Sequence, residues 1–524
     1  MRDTEIEPMK EEVLPPGLTL WPAGEEKKNR LCVLISDIHC TDCTVGNQTA
    51  SETDWKMFFE QMEFAVCNPG DRMQTPPEQR VEELLLILNG DVVDLIRSSK
   101  WAEAGVYPWD RDHPRFEELV MAVMRDIVAI HACKRPEGSM QPYSGFFFWM
   151  RASLDALRGK GITITVVPIV GNHDKELQVV HAARRMLYEE CLGLTDDMIP
   201  DRYRAWVARQ LGTKAEERYP ALPFYFADRS LRLLATHGQW RDKDNCRAIS
   251  RWRPSRGWAP QTWREEQYRA FSDPCFGDTV ATGMLSRFIW SVTRRLDERV
   301  PGAHRIRRLL DEMDLYRPSV AAVVRLLTES HRMARAEPAA RGLHDIVLSS
   351  FRESLVAWMG HRATWQSARG TTWFGLCALY LLSRFKWYWL DIRLMRLMAR
   401  KQEPEADIAD GTLLDLPAFQ PEYRALGFRL HVEGHTHVAL EADLQFSQPR
   451  RDRKNYTYIN LGAWRDTILP KRNHGFRRRG VGRALFVVDL ARLPQDRLPK
   501  GTSDDAYRFY VRDMTSWGDR MDRW

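Results

Sequence analysis

The sequence predicts an α/β protein whose core is interrupted by a mainly α-helical insertion. Up to about residue 245, short β-branched runs alternate with amphipathic stretches, the pattern of buried strands with helices between them. Over residues 246–429 strand patterns largely vanish and helical periodicity takes over, and strand patterns return at residue 430. With 524 residues, of which 44% are hydrophobic and 28% charged, the composition is globular and excludes wholesale disorder.

The elements fall into five predicted segments along the chain. These are a polar N-terminal tail (1–30), the first part of the core (31–245), the insertion (246–429), the second part of the core (430–490) and a C-terminal tail (491–524). Strands are expected at 31–36, 84–88, 162–170, 231–235, 429–432, 456–460 and 484–488. Helices are expected at 116–131 and 175–191 in the core, and at 278–298, 303–313, 319–334, 343–365 and 373–400 in the insertion.

The insertion carries the surplus of positive charge. The whole chain has a net charge of +6, whereas residues 246–429 alone hold 29 Lys+Arg against 20 Asp+Glu, a surplus of +9, together with nine of the 19 tryptophans. A basic, tryptophan-rich segment suits anionic partners such as phosphates, nucleic acid or anionic lipid. A helical domain with a solvated basic face explains the same composition equally well.

One stretch of the insertion, residues 373–398, mixes apolar and aromatic side chains with arginine and lysine, as interfacial membrane helices do. We expect either peripheral contact with a membrane through this stretch or a buried helix pair inside the insertion. No apolar run is long enough to span a bilayer, the first residues lack the apolar stretch of a secretory signal, and the nine cysteines are scattered. These features predict a cytoplasmic protein that is soluble or peripheral at the membrane.

Five of the predicted strands end in polar residues of the metal-binding type. The segments are Asp37-Ile38-His39, Gly90-Asp91-Val92-Val93-Asp94, Gly171-Asn172-His173-Asp174, His237-Gly238 and Gly434-His435-Thr436-His437. A single His-x-His arises easily by chance, but this ordered set, each member directly after a strand, does not. Because ligands of open α/β sheets lie beyond the carboxyl ends of strands, we expect these side chains to converge on one site.

The set D-x-H, G-D-x-x-D, G-N-H-[DE], H and G-H-x-H resembles the signature of the calcineurin-like metallophosphoesterase superfamily. The resemblance covers about 31–245 and 430–490. It implies a β-sandwich flanked by helices (α/β/β/α) with a two-metal centre at one edge. It further implies that Asp37, His39 and His437 hold one metal, that Asn172, His237 and His435 hold the other, and that Asp91 bridges the two.

The donor types independently suit two divalent ions. Carboxylate and amide oxygens with imidazole nitrogens fit Mn²⁺, Fe or Zn²⁺, of which we expect Mn²⁺, and seven ligands exceed the needs of one tetrahedral site. Two such ions would lower the pKa of a bridging water toward ~7, so that we expect a metal-bridging hydroxide to attack the phosphorus in line. His173 is not a ligand in this pattern and is expected to act as general acid for the leaving oxygen. By the same resemblance, Asp94 would orient His173 through a hydrogen bond.

The substrate class follows from departures within these motifs. Leu95-Ile96 stands where related protein phosphatases have Arg-Gly, which weakens the expectation of a protein phosphatase. Residues 36–39, 171–174, 237–239 and 434–437 are more similar to the UDP-2,3-diacylglucosamine hydrolase branch, whose members cleave a pyrophosphate bond in a lipid-linked nucleotide sugar. We therefore expect a metal-dependent phosphoesterase that hydrolyses a phosphodiester or pyrophosphate bond, with a phosphorylated small-molecule, lipid-linked or nucleotide-sugar substrate. Two alternatives stay open: a nuclease whose basic insertion contacts nucleic acid, and a scaffold protein with a vestigial metal site.

Overall fold

The computed structural model describes residues 14, 18–22, 28–46, 50–68, 80–134, 145–214, 217–242, 244–246, 272–317, 319–368, 370–384, 413–414, 416–444, 456–470, 476–480, 482–490, 507–514 and 520–522. Within these residues the chain is a mixed α/β protein with two five-stranded mixed sheets and many helices, which confirms the predicted α/β class. The strands are β1 (Asn29–Ile35), β2 (Glu83–Asn89), β3 (Thr163–Ile169), β4 (Tyr225–Asp228), β5 (Leu233–Thr236), β6 (Leu430–Glu433), β7 (Leu440–Leu444), β8 (Tyr456–Asn460), β9 (Thr467–Pro470), β10 (Phe476–Arg479), β11 (Arg483–Leu490), β12 (Tyr507–Asp513) and β13 (Arg520–Asp522).

The first sheet has the order β12-β11-β1-β2-β3. Strands β1, β2 and β3 run parallel, so their carboxyl ends meet at one edge, whereas β11 is antiparallel to β1 and β12 is antiparallel to β11. Every residue of β1 and β2 is buried, as their continuous apolar sequences predict. The strands predicted at 31–36, 84–88, 162–170 and 484–488 all lie in this sheet.

The second sheet has the order β4-β5-β6-β8-β7. Strands β5, β6 and β8 run parallel, and β4 and β7 are antiparallel edge strands. Side chains of both sheets belong to one hydrophobic cluster, and the Nδ2 of Asn89 at the end of β2 donates to the backbone oxygen of Thr236 at the end of β5, 3.0 Å away. The strand ends of the two sheets are therefore held against each other. A third, small sheet has the order β13-β10-β9.

Among the described residues before the insertion, six helices pack on this core, two of them in the regions where helices were predicted. They are α1 (Glu52–Cys67), α2 (Ser99–Ala104), α3 (Phe116–His131), α4 (Phe146–Gly159), α5 (His181–Met186) and α6 (Asp201–Leu211). The bounds of α3 match the prediction, whereas the helix predicted at 175–191 divides into a 3₁₀ turn, α5 and a π-helical turn. A capping box between Ser51 and Asp54 fixes the start of α1.

The predicted insertion is helical wherever it is described at length. A π-helical stretch (Thr279–Ser286) leads into α7 (Arg287–Arg295), α8 (Ala303–Asp311), α9 (Val320–Ala336), α10 (Arg341–Gly360), α11 (Arg362–Ser367) and α12 (Thr371–Arg384). The single helix predicted at 343–365 breaks at His361, whose backbone is extended. These helices form their own hydrophobic cluster, separate from that of the sheets. The cluster of the helices also includes Val45 and Ile468 from outside the insertion.

Helix α12 covers the described part of the helix predicted at 373–400, and residues 385–400 lie outside the described residues. Leu376 is buried, whereas Trp373, Phe374 and Tyr380 are exposed. None of the described helices has the length and apolar character needed to cross a bilayer. Membrane contact through 373–398 stays a prediction.

Two predicted tails contribute to the core. Within 1–30, Trp21 is buried against Trp206 and its backbone N–H donates to the oxygen of Ala227, 2.7 Å away. Within 491–524, β12 extends the first sheet, where Tyr510 stacks on Phe486 with ring centroids 5.1 Å apart. Neither segment carries a continuous apolar run that marks a buried element, so the sequence did not predict these contacts.

Candidate metal centre

The strand ends bring the predicted metal ligands to one place. Asp37 and His39 follow β1, Asp91 follows β2, and Asn172 follows β3 in the first sheet. His237 follows β5, and His435 and His437 follow β6 in the second sheet. Because these five strands are parallel within their sheets, their carboxyl ends direct all seven residues to the edge where the sheets meet.

The first group of donors consists of Asp37, His39 and His437, whose ligand atoms all lie within 4.8 Å of one another. The Nε2 atoms of His39 and His437 face each other at 3.0 Å, and the Nε2 of His437 is 3.3 Å from the Oδ1 of Asp37. Each of these rings turns one nitrogen toward the same small volume. This is the set that the resemblance to the metallophosphoesterases assigns to one metal.

Asp91 links this group to the others. Its Oδ2 lies 3.6 Å from the Nε2 of His39 and 3.2 Å from the Nε2 of His237. Asp37, Asp91 and His237 also offer three ligand atoms within 4.8 Å of one another. One carboxylate thus reaches histidines of both predicted ligand sets, as a bridging ligand must.

Asn172 and His435 complete the second set. The Oδ1 of Asn172 is 2.9 Å from the Nδ1 of His435, and the rings of His237 and His435 meet edge to face with centroids 5.4 Å apart. The backbone N–H of His435 donates to the Oδ2 of Asp37, 2.9 Å away, which ties the second set to the first. All seven predicted ligands therefore form one continuous cluster.

Two buried atoms of this cluster have no hydrogen-bond partner, the Oδ1 of Asp37 and the Nε2 of His237. Leaving a buried polar atom unsatisfied costs about 1–3 kcal/mol, a cost that a bound ion would remove at these two atoms. The other nitrogen of His237 donates to the backbone oxygen of Asn89 at 2.9 Å, which fixes the ring with its lone pair toward the two aspartates. These orphaned donors and the mixed oxygen and nitrogen set fit divalent ions of the Mn²⁺, Fe and Zn²⁺ type.

The backbone of the site is strained at the ligands themselves. Seven described non-glycine residues have positive φ angles, and five of them belong to the cluster: Asp37 (55°), His39 (50°), Asp91 (52°), His435 (67°) and His437 (60°). A left-handed conformation disfavours residues with a Cβ and persists only where the surroundings enforce it. Because five of the seven positive φ angles fall on cluster residues, we infer that backbone strain is accepted here in order to orient these side chains.

Glycines allow the strand ends to approach each other. A Cβ on Gly171 would lie 2.1 Å from the Oδ1 of Asp91 and 2.4 Å from its backbone nitrogen. A Cβ on Gly434 would lie 2.2 Å from the Oδ2 of Asp37. The glycines of the G-N-H-D and G-H-x-H segments are thus required by contact with the ligands that they neighbour in space.

The electrostatics of the cluster favour a bound cation. Burial alone would raise the pKa values of Asp37 and Asp91, but the neighbouring histidines, His237 first, lower both well below their usual range. Burial lowers the pKa of His237, yet the carboxylates of Asp91 and Asp37 outweigh it and raise that pKa to about 10. The two buried carboxylates therefore stabilise positive charge at this point, whether a proton or a metal ion carries it.

The two predicted catalytic residues are in contact. The Nδ1 of His173 lies 2.8 Å from the Oδ1 of Asp94, and the Nδ1 of His39 lies 3.0 Å from the Oδ2 of the same carboxylate. His173 lines a cavity of about 450 Å³ together with Asp91, Asn172 and His437. The hydrogen bond predicted between Asp94 and His173 is therefore present.

Four further residues complete the site and were not predicted. Asp174 accepts from the backbone N–H groups of Gly171 and Val92, and so joins the ends of β2 and β3. The Oδ2 of Asp242 lies 3.2 Å from the Nε2 of His435. Arg97 and Arg317 line the cavity. Asp174 stands inside a recognised motif, whereas Asp242 and the two arginines follow no pattern in the sequence that singles them out.

No known protein family, curated protein or solved structure matches this chain.

Proposed function

We propose that this protein is a dinuclear-metal-dependent phosphoesterase of the calcineurin-like type, with the two five-stranded sheets forming that superfamily's helix-flanked β-sandwich. One observation carries the proposal. Seven oxygen and nitrogen donors from five strand ends meet in one cluster, in which the Oδ1 of Asp37 and the Nε2 of His237 form no hydrogen bond, although they lie 3.3 Å from His437 and 3.2 Å from Asp91. A scaffold with a vestigial site has no need to keep such an unsatisfied and strained set.

The donors divide between two ions. Asp37, His39 and His437 would hold the first, Asn172, His237 and His435 would hold the second, and Asp91 would contact both. Bound divalent ions, of which we propose Mn²⁺, supply an acidified water and offset the charge of a phosphoryl group. Asp94 keeps the Nδ1 of His39 occupied, which leaves its Nε2 free to coordinate.

His173 would hold the proton for the leaving oxygen. Asp94 fixes its Nδ1 at 2.8 Å, so that Nε2 is the nitrogen that carries and releases this proton. Burial and, to a smaller extent, Arg97 lower the pKa of His173, and the carboxylates of Asp94 and Asp91 offset only part of this shift. The hydrogen bond to Asp94 keeps the ring in one orientation, as proton donation to a specific atom requires.

The cavity supports a substrate with an apolar part. Its lining includes members of the metal cluster together with side chains of the insertion, both apolar (Phe276, Val280, Leu285, Ile289, Met313 and Val320) and polar (Ser286, Asp314, Arg317 and Ser319). The apolar members of this lining would accept an acyl or prenyl group next to the phosphate. We therefore favour a phosphodiester or pyrophosphate with a lipid part over nucleic acid. Binding to nucleic acid would show a steep dependence on salt concentration, which a lipid phosphate would not.

Hydrolysis of an aryl phosphodiester with and without Mn²⁺ tests the proposal. The purified chain should hydrolyse the ester only when loaded with Mn²⁺, and Asp91→Asn should lower both Mn²⁺ content and turnover by more than about 100-fold, since even residues that merely orient metal ligands cost 10- to 100-fold. Asp155→Asn is the matched control, because this carboxylate is 71% exposed on α4. Metal-independent turnover, or full activity in Asp91→Asn, would rule the proposal out.

A further inference from the structure

The insertion places one arginine at the metal cluster. The Nη2 of Arg317 lies 2.9 Å from the Nδ1 of His437 and 3.4 Å from its Nε2, the atom that faces Asp37 and His39. Arg317 belongs to the turn between α8 and α9, 80 residues after His237 and 118 residues before His435, the predicted ligands nearest to it in sequence. A group bound to this guanidinium therefore lies directly beside the proposed metal ions.

The core holds this turn in place. Tyr316 forms a β-bridge with Ile468, and the backbone N–H of Arg317 donates to the oxygen of Ile468, 3.0 Å away. The side chain of Asp314 pairs with Arg465, which follows β8. The Nη1 of Arg317 donates to the backbone oxygens of Asp314 and Tyr316 at 2.7 and 3.0 Å, and these two hydrogen bonds hold the guanidinium in place. The position of Arg317 is thus built by the fold.

The charge of Arg317 is not matched by a carboxylate. Among the described residues none has a carboxylate oxygen within 4.0 Å of it. Arg97, on the same cavity, lies 3.6 Å from Asp94 and 3.7 Å from Asp314, and its Nη1 is buried without a hydrogen-bond acceptor. Arg317 and Arg97 both line this cavity and have N–H groups that are not used in hydrogen bonds to carboxylates. Such a pair of guanidinium groups is suited to bind an anion.

We propose that Arg317 and Arg97 bind a phosphate oxygen of the substrate beyond the two oxygens that face the metal ions. This inference rests on the proposed function and revises its substrate class, because it disfavours a simple phosphodiester and admits a phosphomonoester. A phosphodiester has two non-bridging oxygens, and both would face the metal ions if two were bound. A third anionic oxygen exists only in a phosphomonoester or in the neighbouring phosphate of a pyrophosphate. The arginine pair therefore selects substrates with such an oxygen, and the insertion is a part of the active site.

Calorimetric titration of the Mn²⁺-loaded chain with inorganic phosphate and with inorganic pyrophosphate tests the arginine pair. Arg317→Gln should weaken binding of the preferred anion about 10- to 100-fold, the range expected for loss of a charge-assisted bidentate contact, and Mn²⁺ content should stay unchanged. Arg317→Lys should recover part of the affinity, because lysine keeps the positive charge but cannot form the bidentate hydrogen bonds of a guanidinium. The control is Arg299→Gln, whose side chain is 93% exposed on the insertion. Tighter binding of pyrophosphate than of phosphate would identify the neighbouring phosphate as the source of the third oxygen, and the reverse would identify a monoester.

Turnover separates this inference from the proposed function. Arg317→Gln should lower kcat/KM for an aryl phosphomonoester or a pyrophosphate ester about 10- to 100-fold and change that for an aryl phosphodiester less than about threefold. Equal losses for all esters, or unchanged anion affinity in Arg317→Gln, would overturn the inference while leaving the phosphoesterase intact. A wild-type chain that binds Mn²⁺ and hydrolyses esters, yet binds neither phosphate nor pyrophosphate, would also overturn it. A wild-type chain that neither binds Mn²⁺ nor hydrolyses any ester would instead refute the proposed function.

Discussion

Asp94 accepts hydrogen bonds from two histidines with different proposed tasks, His39 as a metal ligand and His173 as a proton donor. Burial alone would raise the pKa of Asp94, but His173 and Arg97 lower it well below its usual range, so the carboxylate is ionised at neutral pH. An ionised acceptor keeps a proton on the Nδ1 of both rings and directs both Nε2 atoms into the site. A single buried charge thus couples metal binding to proton donation.

Replacement of His173 separates these two tasks. His173→Ala should lower kcat about 10²- to 10⁴-fold, the usual contribution of a general acid, and should leave Mn²⁺ content unchanged. The loss should be smaller for an aryl ester whose leaving group needs no proton. His113→Ala is the control, because His113 is an exposed histidine that lies shortly before α3. Loss of Mn²⁺ from His173→Ala would show that this residue is a ligand, and unchanged kcat would show that it is not the acid.

At the scale of residues, the sequence predicted the proposed metal ligands but not the residues that contact them from outside the motifs. Each ligand directly follows a strand, so residue type and position together mark it. Arg317 acts from a turn of the insertion and Asp242 from a loop after β5, and neither position is tied to the cluster by spacing in the chain. Only the folded arrangement of the insertion on the core reveals them.

Among the elements, parallel strands set the geometry of the site and glycines permit it. Gly171 ends β3 where the chain meets Asp91, and Gly434 ends β6 where it meets Asp37. The buried parallel strands were predictable because burial on both faces gives a continuous apolar run. Strands β9, β10 and β12 were not, because their sequences, TILP, FRRR and YRFYVRD, contain no continuous apolar run of strand length.

Substitution of Gly171 tests the close approach of β2 and β3. Gly171→Ala should lower Mn²⁺ content and destabilise the protein by about 1–3 kcal/mol, because the added Cβ would meet the backbone nitrogen of Asp91, which cannot rotate away. Gly342→Ala is the matched control: nothing lies within 4 Å of its Cβ, and alanine favours the helix by about 1 kcal/mol. Metal analysis and urea unfolding of both variants report the two effects. A Gly171→Ala protein with full metal content and stability would contradict the described contact.

In the whole molecule, two hydrophobic cores meet at the metal cluster. The sheets form one core and the insertion forms the other, and ion pairs join them beside the site, between Lys175 and Asp278 and between Arg465 and Asp314. Lys175 directly follows the G-N-H-D segment, so the first pair ties the insertion to the loop that carries Asn172 and His173. Helical periodicity predicted the helices of the insertion. Contacts between segments that are distant in the chain produce no periodic pattern in the sequence, so the contribution of the insertion to the cavity lining was not predictable.

The central claim is that seven side chains, spread from Asp37 to His437, hold two divalent ions. Anomalous X-ray diffraction from crystals grown with Mn²⁺ tests this claim most directly. We predict two manganese peaks about 3.5–4 Å apart, with Asp91 between them, His39 and His437 at one and His237 and His435 at the other. A map without manganese at Asp37 and Asp91, or with both peaks elsewhere in the molecule, would contradict the account.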